Sequence, residues 1–312
     1  MSDMFFSRSL AVASVLILAL TAATPPLPAP QIFAPGVISG PANDGAPSFT
    51  PDGRTLFFTR SGAGAGTILE SHLVEGTWST PEIASFSGQW NDQHAAIAPD
   101  GSFLVFTSTR PVPGVSGHVA HLWRVARTAD GWGEPAHLPD TVNIGPRIFK
   151  PSVARDGSIY FMSIGPKRAF RLFVSHLVNG TYRQAEPLAF STDDTKDVDP
   201  EIARDDSYLI FSSSGRRGDD TKEHLYLVRR SGSSWGEVEP LRFAGDDDNG
   251  GSNDNEGDLS PDGRTLYFSS DRTIVEHFPR TREQAKADLQ QIDLWNNGNV
   301  NVWSIDLTQL SP

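Results

Sequence analysis

Five copies of one short unit run through the chain, and their spacing restricts the fold more than any other feature. The copies are SFTPDGRTLFFTR (Ser48–Arg60), AIAPDGSFLVFTSTR (Ala96–Arg110), SVARDGSIYFMS (Ser152–Ser163), EIARDDSYLIFSSS (Glu201–Ser214) and DLSPDGRTLYFSSDR (Asp258–Arg272). Their central aspartates, Asp52, Asp100, Asp156, Asp205 and Asp262, are separated by 48, 56, 49 and 57 residues. A β-rich unit recurring about every 50 residues is the pattern of propeller blades. The composition agrees: 28 Gly, 23 Pro and 30 Phe, Trp and Tyr among 312 residues favour many short strands joined by turns.

Each unit reads as four strands. The first ends at a Pro-Asp-Gly turn, where Pro presets φ, Asp bonds locally and Gly takes the left-handed position. The second is an aromatic run such as Leu56-Phe57-Phe58. The third follows a variable loop: Ile68–Val74, Val119–Ala126, Phe170–Leu177, Leu225–Arg229 and Val300–Leu307. The fourth carries an aromatic and then a proline: Trp78/Pro81, Trp132/Pro135, Tyr182/Pro187 and Trp235/Pro240. An outermost strand tolerates that proline, and the aromatics suit packing between blades. The fifth unit has no fourth strand after it, but Ile32–Ile38 has the same aromatic–proline–aliphatic order. The expected fold is therefore all-β: one five-bladed β-propeller over residues 31–312, closed by an N-terminal strand.

The N-terminus reads as an address. Arg8 precedes a 14-residue apolar run, Leu10–Ala23, too short for the roughly 20 residues that span a bilayer. Thr21 and Ala23 stand at −3 and −1 of a cut before Thr24, giving a signal peptide over 1–23 and a Pro-rich linker over 24–30. An uncleaved anchor is the alternative, and no later segment is apolar enough to span. With 26 basic and 38 acidic side chains the net charge is −12, which disfavours a nucleic-acid partner. The absence of cysteine excludes disulfides, thiolate metal sites, a Cys nucleophile and a lipoprotein anchor. A periplasmic or secreted monomer fits these features.

The run Ser260-Pro261-Asp262-Gly263-Arg264-Thr265-Leu266-Tyr267-Phe268-Ser269-Ser270-Asp271-Arg272 resembles the TolB-type β-propeller repeat, a WD-repeat-like unit of bacterial exported proteins. Units one and two match it well. Units three and four depart, with Arg155 and Arg204 replacing Pro and Asp206 replacing Gly. The resemblance covers nearly the whole chain after residue 30. It implies the propeller fold and a periplasmic binding or scaffold role, although similar blades occur in peptidase and lyase propellers. TolB itself carries an additional α/β domain, for which no pattern is found here.

In a propeller, the loops entering the first strand share a face with those between strands two and three. Here they are long and dissimilar, whereas the opposite face has tight turns throughout, so the site is expected on the loop face at the channel mouth. Six residues before each repeat aspartate stand Ala46, His94, Lys150, Asp199 and Glu256; two residues later come Ser48, Ala96, Ser152, Glu201 and Asp258. Side chains two apart on a strand share a face. His94, Lys150, Asp199, Glu201, Glu256 and Asp258 are therefore expected in one ring around the channel, as ligands for a bound group or as ordinary channel polarity. Arg60, Arg110 and Arg272, with Arg216 slightly later, end the second strands and suit either ion pairs or an anionic ligand.

Residues 191–262 hold 19 acidic and 8 basic side chains, so most of the net charge lies there. The loop GDDDNGGSNDNEGD (Gly245–Asp258) offers oxygens that would suit Ca²⁺, through Asp246, Asp248 and Asp254, or simply a solvated acidic loop. The EF-hand register fails, because position 12 from Asp246 is Gly257. In the last blade Thr281 and Gln284 form a capping-box pattern before Ala285, Leu289 and Ile292, predicting a short helix packed over the face. Trp295 and the asparagines after it suit a sugar or a turn with a core Trp. His118 and His121 are three apart in a strand and make a poor metal pair. No Gly-x-Ser-x-Gly, Walker A or His-Glu-x-x-His motif is present. The expected function is binding of a cell-envelope protein or a carbohydrate through the acidic loop face, with no cofactor other than a candidate Ca²⁺. The alternative is a carbohydrate-active hydrolase or lyase using Asp199, Glu201, Glu256 and Asp258.

Overall fold

The computed structural model describes residues 26–117, 119–216, 221–244, 251–274 and 278–310. Five antiparallel blades form the propeller. Their innermost strands are Asn43–Phe49, Asp92–Ile97, Ile148–Val153, Lys196–Ile202 and Asp254–Leu259. The second strands are Thr55–Gly62, Phe103–Ser108, Ile159–Ile164, Tyr208–Ser214 and Thr265–Ser270, and each pairs with the innermost strand across its repeat turn.

The two faces of each second strand are both buried, which explains its unbroken apolar run. Phe57 packs into the cluster shared with blade two, while its neighbour Phe58 packs into the cluster shared with blade five. The other clusters also straddle neighbouring blades, as where Phe211 of blade four meets Tyr160 of blade three. The fourth-strand aromatics complete these layers: Trp132 lies edge-on to Phe57 at 5.8 Å and Trp235 edge-on to Tyr160 at 6.4 Å. Such aromatic pairs add roughly 0.5–1.5 kcal/mol beyond the area they bury.

The ring is closed by the N-terminal segment, as the repeat phase predicts. Gln31–Ile32 pairs with Asn301–Asp306 as the outer strand of blade five, with Gln31 opposite Ser304 and Ile32 opposite Trp303. Phe33 continues the ladder by donating its N–H to Val302 O at 2.9 Å, and its ring sits 4.9 Å from Tyr267, edge-on. The packed region begins earlier than residue 31. Leu27, read from sequence as linker, is buried in the blade-four/blade-five core and bridges Phe243. The signal-peptide segment lies outside the described residues.

The helix α1 (Arg282–Leu294) begins with the expected capping box: Gln284 N–H donates to Thr281 Oγ1, and Gln284 Oε1 accepts from the Thr281 N–H. Its packing differs from the expectation. None of its residues is buried, Leu289 is 59% exposed, and the half-buried stripe is Ala285, Asp288 and Gln291. Asp288 on this stripe pairs with Arg280 just before the helix at 2.6 Å, and the backbone Gln291 O accepts the N–H groups of Trp295 and Asn296 at the helix end. Trp295 itself is a core residue, 5.8 Å from Trp303. Among the described residues no helix is long and apolar enough to cross a membrane.

Because Phe33 meets Phe49, Trp78 and Tyr267 at the closing seam, Phe33→Ala is expected to cost about 2–4 kcal/mol. Thermal circular dichroism should show a melting temperature several degrees lower; an unchanged value would refute the closing role.

Candidate functional site: the channel and its mouth

Each innermost strand carries a bulge at the same place. The register with the second strand shifts between Gly45 and Ser48, Gln93 and Ala96, Phe149 and Ser152, Val198 and Glu201, and Asn255 and Asp258. The first bulged residue is left-handed in all five blades, at φ 48° for Ala46, 56° for His94, 44° for Lys150, 54° for Asp199 and 51° for Glu256. Non-glycine residues in that region cost about 1–2 kcal/mol each. Ala46 shares the conformation, so the bulge belongs to the blade and not to any one chemistry. The residue after it is Pro47, Ala95, Pro151, Pro200 or Gly257, and a bulge accepts a proline that a regular ladder would not.

The bulge separates the two sets of channel residues. The sequence pattern places them in one ring because they are two apart. The extra bulged residue breaks that alternation, and they form two tiers.

The upper tier lies at the loop-face mouth. His94 Nε2 meets Glu256 Oε1 at 2.9 Å, an ion pair when the imidazole is protonated, and Ser269 Oγ donates to Glu256 Oε2 at 2.7 Å. Asp199 Oδ2 accepts the Glu256 N–H at 3.3 Å. His94, Asp199 and Glu256 line a cavity of about 290 Å³, together with Arg147, Phe149 and Glu223. His94 Nδ1 is buried with no hydrogen-bond partner.

The lower tier is tighter. Ser152 Oγ donates to Glu201 Oε2 at 2.8 Å, and Glu201 Oε1 accepts the Leu259 N–H at 3.3 Å. Asp258 is bonded by Ser48. The space beside these groups is about 20 Å³, enough for roughly one water.

Lys150 joins the tiers. It is 1% exposed, donates to Gly257 O at 3.1 Å, and its charge favours the ionised form of Asp199, Glu201, Glu256 and Asp258 alike. The four acids nonetheless diverge. Burial pushes Asp199 well above the usual carboxylate range, with Glu256 and Glu223 pushing the same way. Burial likewise raises Asp258 well above that range, reinforced by Glu201, and burial raises Glu201. Glu256 is buried too, but its bonds to His94 and Ser269 and the charge of Lys150 outweigh burial and hold it at about 2.

The arginines that end the second strands are held by buried aspartates. Arg60 grips Asp44 with two bonds of 2.6 and 3.1 Å, Arg110 meets Asp92 at 3.1 Å, and Arg216 grips Asp197 at 2.7 and 3.0 Å. Arg272 pairs with Asp254. A serine from the second strand donates to the same carboxylate in three blades: Ser108, Ser213 and Ser270, each at 2.6 Å. The ion-pair alternative is thus what the geometry contains. Sequence reasoning missed the aspartates, although a signal existed: each stands eight residues before its repeat aspartate, and only blade three breaks the pattern, with Ile148.

Asp254, one of the three candidate Ca²⁺ ligands, is therefore bound to Arg272 and Ser270, which leaves it poorly placed for a cation. Asp246 and Asp248 lie outside the described residues, and no group of three or more His, Asp or Glu able to hold a metal occurs among the described ones. His118 is also outside them. His121 pairs instead with His137, Nδ1 to Nε2 at 2.8 Å, beside the Asn143 amide.

Solved structures similar to this chain include TolB, gluconolactonase and glycoside hydrolase propellers. A protein of Agrobacterium tumefaciens assigned as a TolB shares 18% identity over 86% of this chain and 91% of that one, with a TM-score of 0.49. A thermostable family-43 glycoside hydrolase shares 12% over 76% and 86%, with a TM-score of 0.50. A gluconolactonase of Xanthomonas campestris shares 14% over 91% and 88%, with a TM-score of 0.47. At such identities the likeness extends to the fold alone. No protein-family model matches the chain, and no curated protein matches its sequence.

Two measurements check this site. Lys150→Met removes the cation shared by four buried carboxylates and is expected to cost about 3–5 kcal/mol in urea unfolding at neutral pH. The loss should shrink at acid pH as the carboxyls protonate, and an equal loss at both would contradict the shared-cation role. Burial lowers both His121 and His137 below 6.5, and the charge of His121 lowers His137 further, against an opposing pull from Asp140. The folded state then binds fewer protons than the unfolded one, so stability is present above the ordinary histidine value and lost as pH falls through and below it. His137→Gln should flatten the fall in melting temperature between pH 7 and 5.

Proposed function

We propose that this chain is an exported, TolB-like propeller that docks a cell-envelope protein on its loop face, with α1 and the channel mouth forming the contact. The observation that carries this reading is α1. A helix of 13 residues is marginal in water without packing, yet none of it is buried, and Leu289 and Ile292 stand exposed on it. Leu289 and Ile292, one turn apart on the helix, are 59% and 37% exposed, and Phe278, before the helix, is 73% exposed, while Leu294, 47% exposed, lies on another side of the helix near Gly36. Clustered exposed apolar groups rimmed by polar ones mark interaction surfaces. The loop that follows the helix is tied to the loop entering the innermost strand of blade one, where Asn299 Nδ2 donates to Pro41 O at 2.8 Å. The mouth cavity, with its unpartnered His94 Nδ1, supplies the polar part of the contact.

The hydrolase or lyase reading has less support. The oxygens of Glu201 and Glu256 are engaged by ring serines, His94 and a backbone amide, and the space beside Glu201 and Asp258, about 20 Å³, leaves little room for substrate at the lower tier. Export rests on the apolar N-terminal run and its small-residue cut site.

The test is affinity capture from periplasmic extract with the wild type and with Leu289→Asp/Leu294→Asp, checked to melt alike. A specifically captured protein should fall at least tenfold with the variant. Equal capture by both would sink the loop-face reading.

A further inference from the structure

The face opposite the loops carries a groove of its own. Between blades four and five, among the repeat turns, lies a groove of about 500 Å³. Arg155, Arg204, Arg229 and Arg230 line it. None of the four lies within ion-pair distance of a described carboxylate, and the hydrogen bonds of their side chains go to neutral groups. Arg155 Nε donates to Arg204 O at 3.0 Å, Arg204 Nη1 to Pro99 O at 3.2 Å and Arg229 Nη2 to Leu310 O at 3.4 Å. Arg230 donates to Asp206 O and to the Tyr160 hydroxyl.

Comparison across the blades shows how local this is. Arg155 and Arg204 occupy the turn position that is Pro51, Pro99 and Pro261 elsewhere, so blades three and four forgo the proline that presets the turn. The position of Arg229, opposite Tyr208, is His72, Ala126, Ser175 and Asp306 in the other blades. Two carboxylates also line the groove, but Asp205 and Asp262 accept bonds within their own turns, from Ser207 and from Ser260 and the Arg264 amide. The floor is apolar: Tyr208, Leu227, Leu307 and Leu310 contribute to it. The lining itself holds four guanidiniums and two engaged carboxylates; Asp206 beside Arg155 and Arg230, and Glu201 and Asp258 beside Arg204, offset part of that charge from outside the lining.

We propose that the groove binds a small amphipathic anion, a carboxylate on an apolar body, with its charged head among the arginines and its body on the leucine floor. Guanidinium forks match carboxylate geometry, and the volume falls in the range of small-molecule pockets. This goes beyond the loop-face reading and stands independently of it, because it uses the other face of the ring.

The probe is dodecanoate below its micellar concentration, titrated calorimetrically into the full chain. Saturable binding at one site per chain is expected, weakened as salt rises, and at least tenfold weaker for butanoate, which lacks the apolar body. Arg155→Glu/Arg229→Glu, both at exposed positions, should weaken dodecanoate binding at least tenfold. If that variant fails to fold, the salt dependence of the wild type and a comparison with dodecyltrimethylammonium decide the question. No saturable dodecanoate binding, equal binding of the cationic surfactant, or an affinity unchanged by charge reversal in a folded variant would each overturn the proposal.

Discussion

The blades have no cores of their own, and everything else follows from that. Each apolar cluster is shared by neighbours: Phe57 with blade two, Phe58 with blade five, Phe211 with blade three. A second strand is therefore covered on both sides only if the ring is complete. The bonds of Gln31, Ile32 and Phe33 to the Val302–Ser304 stretch complete it without a covalent link, and Leu27 extends the seal to Phe243. A strand joined across the sequence in this way couples the two ends of the chain energetically, because neither the first nor the last blade buries its outer surface alone.

The channel depends on a different constraint, the cost of burying charge. Four carboxylates share the interior with one lysine and one histidine. Isolated buried charges are expensive, and the ring answers by letting Asp199 and Asp258 rise toward the neutral form while Glu256 is held ionised. The interior is thus less negative than its residue count suggests. The loop face and the turn face then differ in character. The first is apolar on α1 and polar at the mouth, while the second gathers four guanidiniums with no described carboxylate in ion-pair distance.

Much of the fold was legible because the repeat carries it. The Pro-Asp-Gly turns mark the hairpins, and the phase of the repeat assigns Ile32 and Phe33 to the last blade. The capping box was local, so Thr281 and Gln284 declared it. The bulge was not read, because a period-of-two argument applied to His94 and Ala96 assumes an unbroken ladder. Pro47, Pro151 and Pro200 inside innermost strands were the available warning. The rotation of α1 was also beyond the pattern: Leu289 and Ile292 have core spacing, yet they are exposed and the half-buried stripe carries Asp288 and Gln291. The aspartates that hold the arginines were hidden by attention to the repeat itself, since they sit just upstream of it.

The five left-handed positions have one more consequence. The backbone conformation there is the same whether the side chain is a methyl group, an imidazole, an ammonium or a carboxylate. Shape and chemistry are uncoupled at these points. The frame of the channel does not depend on what each of the five sockets holds, so a lineage built on this ring can change the chemistry of its axis without redrawing a strand, provided the buried charges change together.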